Sequence, residues 1–226
     1  MSAANSRAVE DYLKAIHAMG GAEEFVSTQA IAKKLGVRAP SVTGMLKRLK
    51  TKNLIEYETR SGVRLKKAGL LEARRVVRRH RLVELFLTKI LGLDWSEVDH
   101  EAEALEHSIS PRLEQAIAAH LDEPLEDPHG HPIPSPEGDL KSRKLSPLTS
   151  FMTGQTVLIR EVRDDNPDRL KRWKNQGLVP GAKVFFADHQ PLDDLFELQV
   201  GEKTLTLGSE GLGGLLGELH QENLNN

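Results

Sequence analysis

The sequence contains no cysteine. That excludes disulfides, thiolate nucleophiles and every zinc or iron–sulfur site that depends on thiolate ligands. Aromatic residues make up only 4% of the chain, so a core has to be built mostly from aliphatic side chains. There is no uninterrupted apolar run of about 18 residues and no basic start followed by an apolar stretch, so neither a membrane span nor a secretory signal is expected. What is there suffices for folding. With 38% hydrophobic and 28% charged residues over 226 positions, global disorder is not expected, and the length allows one large domain or two to three small ones. The expectation is a soluble, cytoplasmic protein with no membrane partner.

The formal net charge of −2 conceals an asymmetry. Residues 1–81 carry 18 Lys and Arg against 7 Asp and Glu, whereas the other 145 residues carry 13 basic against 26 acidic. A basic segment joined to an acidic one points to a nucleic-acid-facing part attached to something else. Chance clustering on solvated helices is the alternative.

Helical periodicity dominates the first half. Ala8, Tyr12, Ile16 and Met19 fall at helical spacing, and Gly20-Gly21 ends that run. Ser27 suits the N-cap of a second helix with Ile31, Ala32 and Leu35 on its apolar face and Gly36 as its stop. Pro40 opens a third helix over 38–53, which buries Val42, Met45, Leu46 and Leu49. The period then switches to alternation at Ile55 and Tyr57, followed by a polar Arg60-Ser61-Gly62 turn and Val63 and Leu65, the pattern of a β-hairpin. Helix, helix-turn-helix and hairpin is the order of a winged helix.

A long helix follows from Ala68 to Leu91, with apolar residues on more than one face, as at a subunit interface. Two more helices are expected at 95–109 and 111–121. Residues 122–147 hold six of the eleven prolines and read as a linker or irregular strap. Strand-like runs come next at 157–159, 183–186, 195–200 and 204–207, with Gly201-Glu202 as a two-residue hairpin turn of type II′. Short strands at this density suggest a small barrel.

Two groups of residues carry the chemistry. On the third helix, Ser41, Thr43, Gly44, Lys47 and Arg48 form an outer face that fits a recognition helix, small at its start and basic later. Arg60 and Arg64 on the wing would reach flanking backbone or the minor groove. Lys33, Lys34, Lys50 and Lys52, each taken singly, read as solvated. The wider DNA-facing set is Ser27, Arg38, Ala39, Pro40, Ser41, Thr43, Lys47, Arg48, Arg60 and Arg64. Further on, Glu103, Glu106 and His107 stand at i, i+3 and i+4 beside the apolar stripe Val98, Ala102, Leu105 and Ile109. Ionisable groups pressed against a buried stripe repel and desolvate badly unless a cation neutralises them. His80 and Glu84 make another i, i+4 pair. An acidic surface with an ordinary histidine remains the other reading of both.

The segments VEDYLKAI, APSVTGMLKRL, RRHRLVELFL, EAEALEHSIS and DPHGHPIPSP resemble the iron- and manganese-dependent repressors related to the diphtheria toxin repressor and the manganese transport regulator. The resemblance spans nearly the whole chain, and RLKRWKNQGLVPGAKV looks like part of the SH3-like domain of longer members. It implies a mainly α fold with small β content: a winged helix-turn-helix over 1–73, a helical dimerisation and metal-binding domain with a Pro-rich strap over 74–147, and a C-terminal SH3-like small β-barrel over 148–226.

The resemblance also implies a primary metal site of Asp11, Glu103, Glu106 and His107. Where iron regulators of the family have Met and Cys, this chain has Asp11 and Glu103. Hard oxygen in place of soft sulfur favours Mn²⁺, with Fe²⁺ as the alternative. An ancillary site is implied at His80 and Glu84, with Asp99 in place of a family histidine, Asp127 and His129 from the strap, and Asp165 and Asp168 as the nearest carboxylates in the SH3-like domain. Lys14 stands where a short binuclear member has Glu, against that paired-metal arrangement. His17, His100, His120, His131, His189 and His220 are assigned to no site. The implied function is that of a homodimeric, Mn²⁺-responsive repressor of metal-uptake genes, acting on a roughly palindromic double-stranded operator, with no catalysis and no small-molecule substrate. An Fe²⁺-responsive repressor is the main alternative. A winged-helix sensor of an organic ligand and a metallohydrolase are the others.

Overall fold

The computed structural model describes residues 3–141 and 143–220. The chain forms two compact units that interleave along the sequence: 1–80 with 105–114 and 134–140, and 81–104 with 115–133 and 141–226. No helix among the described residues is long and apolar enough to cross a membrane.

The first unit contains α1 (Ala3–Ala18), α2 (Thr28–Leu35), α3 (Ala39–Thr51), the hairpin β1 (Ile55–Glu58) and β2 (Gly62–Leu65), and the first part of α4 (Lys67–Lys89). Local chemistry sets the ends of α2. The Ser27 hydroxyl accepts from Ala30 N, and Gly36 sits at φ 63° with its N–H closing on Ala32 and Lys33 carbonyls. Pro40 occupies the first turn of α3, where its missing N–H costs no hydrogen bond. The expected face of α3 is inside, with Val42, Leu46 and Leu49 buried and Met45 packed against them. They meet Leu13, Ile16, Ile31, Ile55 and Val63 in one aliphatic core. The wing pairs Tyr57 with Val63 and Glu58 with Gly62 in antiparallel register, and Val63 also bridges Val26. Arginines of α4 hold the strap here: Arg78 Nη1 donates to Pro134 O at 2.7 Å and Arg74 Nη1 to Gly138 O at 2.9 Å.

The second unit contains the end of α4, most of α5 (Val98–Leu105) and α6 (Pro111–His120), and the C-terminal SH3-like sheet. That antiparallel sheet runs in the order β3 (Ser146–Pro147), β8 (Leu215–Leu219), β4 (Thr156–Val162), β5 (Lys183–Gln190), β6 (Leu195–Val200), β7 (Lys203–Gly208). At the β6–β7 turn Gly201 has φ 59° and Glu202 is not among the positive-φ residues, as type II′ requires. A short helix α7 (Pro167–Gln176) covers the sheet, capped by the Asn166 side chain at Asp168 and Arg169 N–H groups, and it buries Leu170 and Trp173. The core joins Val157, Ile159, Trp173, Val184, Phe186, Leu198 and Leu215 with Trp95 from before α5.

The helix expected over 95–109 is shorter at both ends. Asp94 Oδ1 accepts from the Ser96 N–H and hydroxyl, which makes 94–97 a turn. Past Leu105, Ser108 N–H returns to Leu105 O and Arg79 Nε takes the Glu106 carbonyl, so Glu106 and His107 lie in a turn rather than on the helix. Of the apolar residues of α4 and its C-terminal extension, Val76, Val77, Leu82, Val83, Leu85 and Leu87 are buried within the chain, whereas Ile90, Leu91 and Leu93 are exposed.

Candidate metal centre

In the first unit, α1 presents Glu10, Asp11 and Lys14 within one turn, α4 presents Arg79 and His80, and the turn after α5 presents Glu106 and His107. Glu106 has no exposure. Its Oε2 accepts from Lys14 Nζ at 2.7 Å and lies 2.6 Å from His80 Nδ1. Burial pushes the Glu106 carboxyl up, but the His80 hydrogen bond and the Lys14 charge outweigh it and hold the group below the usual carboxylate range. Its other oxygen, Oε1, has no hydrogen-bond partner among the described residues and lies 3.3 Å from His107 Nε2. That nitrogen also lacks a hydrogen-bond partner, although Asp11 Oδ1 is 2.7 Å away. On its opposite edge His107 Nδ1 lies 2.8 Å from Glu10 Oε2.

Buried polar atoms this close together with no hydrogen bond between them are costly, and a divalent cation would satisfy them. Asp11, Glu106 and His107 each offer a ligand atom within 4.8 Å of one another. Two hard carboxylates with one borderline imidazole and no sulfur form a donor set that suits Mn²⁺ and Fe²⁺. Glu103 is half-buried on α5, three residues before Glu106, and belongs to the other unit.

The second unit holds another cluster. Asp127, His129 and His131 offer ligand atoms within 4.8 Å of one another. His129 Nε2 donates to Trp95 O at 3.0 Å and its ring stacks on Trp95, which leaves Nδ1 facing Glu84, 3.6 Å from its Oε1. Asp127 Oδ1 accepts from the His129 and His131 N–H groups, and its Oδ2 contacts His131 Nδ1 at 3.1 Å and Arg81 Nε at 3.5 Å. Burial raises this carboxyl, and the two histidines with Arg81 pull it below its ordinary value. Asp99, exposed in the first turn of α5, offers an oxygen within 4.8 Å of a Glu84 oxygen.

Asp165 and Asp168 are brought into neither cluster. Both are exposed at the start of α7, where Asn166 supplies the cap and Asp164 pairs with Arg169 at 2.8 Å. Glu161 on β4 is the carboxylate that approaches instead, 3.9 Å from His131 Nε2 and bonded to Arg163. His131, expected in no site, is a member of the second cluster.

On the basic face, Arg38, Ala39, Pro40, Ser41, Gly44 and Lys47 are exposed along one side of α3, with Thr43 and Arg48 half-buried beside them. Arg60 is exposed at the wing tip. Arg64 is engaged, bonded to Glu56 at 2.7 Å and lying over the Phe25 ring, and the Ser27 side chain is used as a helix cap.

Comparison with known proteins decides the family. Residues 5–63 match the iron dependent repressor N-terminal DNA binding domain and residues 66–135 the iron dependent repressor metal binding and dimerisation domain. The iron-dependent repressor IdeR of Mycobacterium leprae is 30% identical over 192 residues, covering 80% of this chain and 83% of that protein. The chain belongs to the iron-dependent repressor family.

It is a metal-dependent, DNA-binding transcriptional repressor and not an enzyme. Residues 146–212 of the repressor match the FeoA domain, the SH3-like part. The diphtheria toxin repressor of Corynebacterium diphtheriae is 31% identical over 158 residues, 68% of this chain and 69% of that one. A solved manganese-dependent transcriptional repressor in complex with manganese superposes with a TM-score of 0.85 at 30% identity, over 94% of this chain and all of that chain.

Sequence reasoning missed Glu10, Arg79, Arg81, His131 and Glu161 as neighbours of these clusters. Adjacency was the signal available for most of them: Glu10 stands beside Asp11, Arg79 and Arg81 flank His80, and His131 lies two residues after His129. Glu161 alone of these comes from an element distant along the chain from its cluster.

Proposed function

We propose that the repressor responds to Mn²⁺ and, when loaded, binds a roughly palindromic operator as a homodimer to silence metal-uptake genes in the cytoplasm. The observation that carries this reading is the pair of buried atoms without hydrogen bonds, Glu106 Oε1 and His107 Nε2, 3.3 Å apart beside Asp11. Asp11, Glu103, Glu106 and His107 would hold the metal, three oxygens and one nitrogen with no sulfur, a set that favours Mn²⁺. A bound ion would supply positive charge between Asp11 on α1 and Glu106 and His107 in the turn after α5. Asp11 and Glu106, repelling each other in its absence, would then hold the winged helix in one orientation, which raises DNA affinity by pre-organisation. Glu84, Asp127 and His129 would form the ancillary site with His80 and Asp99, and His131 alongside. In this reading residues 1–73 bind DNA, 74–147 dimerise and hold metal, and 148–226 form the SH3-like domain.

Iron is the second reading, favoured by the likeness to the iron-dependent repressor of M. leprae. Titrating Mn²⁺, Fe²⁺ and Zn²⁺ into the metal-free protein, with binding to its own upstream DNA as readout, separates them. Mn²⁺ is expected to activate at the lowest free concentration. Activation by Fe²⁺ at a lower concentration overturns the assignment.

Lys47, exposed on α3, is assigned a phosphate contact. Lys47→Ala is expected to weaken operator binding roughly equally across sequences and to lower the salt slope by about 1, with Mn²⁺ affinity unchanged. Loss of metal binding in that variant contradicts the separation of the two surfaces.

A further inference from the structure

The two consecutive acidic residues of α1 address opposite nitrogens of a single imidazole. Asp11 Oδ1 is 2.7 Å from His107 Nε2, and Glu10 Oε2 is 2.8 Å from His107 Nδ1. Successive residues on a helix diverge by about 100°, so the pair can straddle the ring. We propose that Glu10 is a positioning residue that never ligates the metal: it locks His107 in the Nδ1–H tautomer and leaves Nε2 as the ligand. The proposal rests on the reading of Nε2 as a metal donor and names the residue that makes it one.

A neutral imidazole carries its proton on either nitrogen, and the partner of one nitrogen decides the state of the other. An ionised carboxylate can only accept, so Glu10 Oε2 retains a proton on Nδ1. The same Oε2 accepts from Arg79 Nη2 at 2.9 Å, and the Nε of that guanidinium donates to Glu106 O, also at 2.9 Å. One planar fork therefore ties Glu10 to the peptide immediately before His107. The carboxylate cannot rotate toward the metal without breaking that link. The arrangement repeats in the second unit with a different acceptor, the Trp95 carbonyl on His129 Nε2. A carboxylate is the stronger acceptor and also raises the basicity of the ligand nitrogen.

The test reads the ring directly. In the metal-free full chain, above the ordinary titration range of histidine, ¹⁵N NMR of His107 is expected to report a protonated Nδ1 and a bare Nε2. Glu10→Ala should give a mixed or Nε2-protonated ring and lower Mn²⁺ affinity about 10- to 100-fold, measured by electron paramagnetic resonance of free Mn²⁺. Glu10→Gln retains an acceptor oxygen for Nδ1 and Arg79, and should restore the tautomer and most of the affinity. An unchanged tautomer in Glu10→Ala overturns the proposal, as does failure of the Gln variant to restore it. If the native chain binds no Mn²⁺ although the tautomer behaves as expected, the metal reading fails and the tautomer lock stands.

Discussion

His107→Ala is expected to bind operator DNA no more tightly under saturating Mn²⁺ than after EDTA treatment. The side chain would supply the nitrogen donor of the proposed primary site, and its Nε2 lies 2.7 Å from Asp11 Oδ1 and 3.3 Å from Glu106 Oε1. Removing the donor leaves the carboxylates to repel each other, and the link from α1 to the turn after α5 is lost. Allosteric couplings of this kind amount to about 1–3 kcal/mol, a factor of roughly 5–150 in DNA affinity, and the whole factor should vanish. His107 is the cleaner target than Glu106, because Glu106→Ala also deprives Lys14 and His80 of the carboxylate they share. The far-UV circular dichroism of the metal-free variant should match the native chain. A mobility shift that still depends on Mn²⁺ in a folded His107→Ala protein would reject the primary-site assignment.

The second large effect is expected at Gly130. This residue sits at φ 83°, and a Cβ built on it would lie 1.9 Å from the Arg160 carbonyl oxygen of β4. The backbone conformation alone costs a non-glycine residue about 1–3 kcal/mol, and the clash is with backbone, which cannot rotate away. Gly130→Ala should therefore push the strap off β4. Asp127 O and Oδ1 receive the N–H groups of Gly130 and His131, and His129 O receives Val162 N–H. A displaced strap scatters Asp127, His129 and His131. The expected result is loss of the weaker metal-binding step with the primary one retained, together with a lower melting temperature. Two undiminished Mn²⁺ binding steps in isothermal titration would show that the strap cluster is not the ancillary site.

How much was legible along the chain depended on how local the determining interactions are. The cap of α2 at Ser27, its stop at Gly36, the Pro40 start of α3 and the type II′ turn at Gly201 are all settled within a few residues, and each is found as expected. Strand β8 escaped notice because LLGEL, in a glycine-rich stretch, carries little alternation, and its pairing with β4 supplies what the pattern lacks. The end of α5 was misplaced because the Glu106 carbonyl accepts from Arg79 Nε, 27 residues upstream. Asp165 and Asp168 looked like ancillary ligands by position alone, yet the turn at Asn166 spends the local polar groups on capping α7.

The motifs along the chain carried the family resemblance, and with it the candidate donors Asp11, Glu106 and His107, while residue types at helical spacing marked the exposed basic face of α3, because those depend on side-chain chemistry and short stretches of sequence. Only the folded chain decided which nitrogen of His107 faces the carboxylates, that Glu10 and Arg79 stand behind it, and that His131 joins Asp127 and His129. The first two follow from how α1, Arg79 and the turn after α5 pack within one unit, which no local pattern records, whereas the third is made by the turn over 127–131.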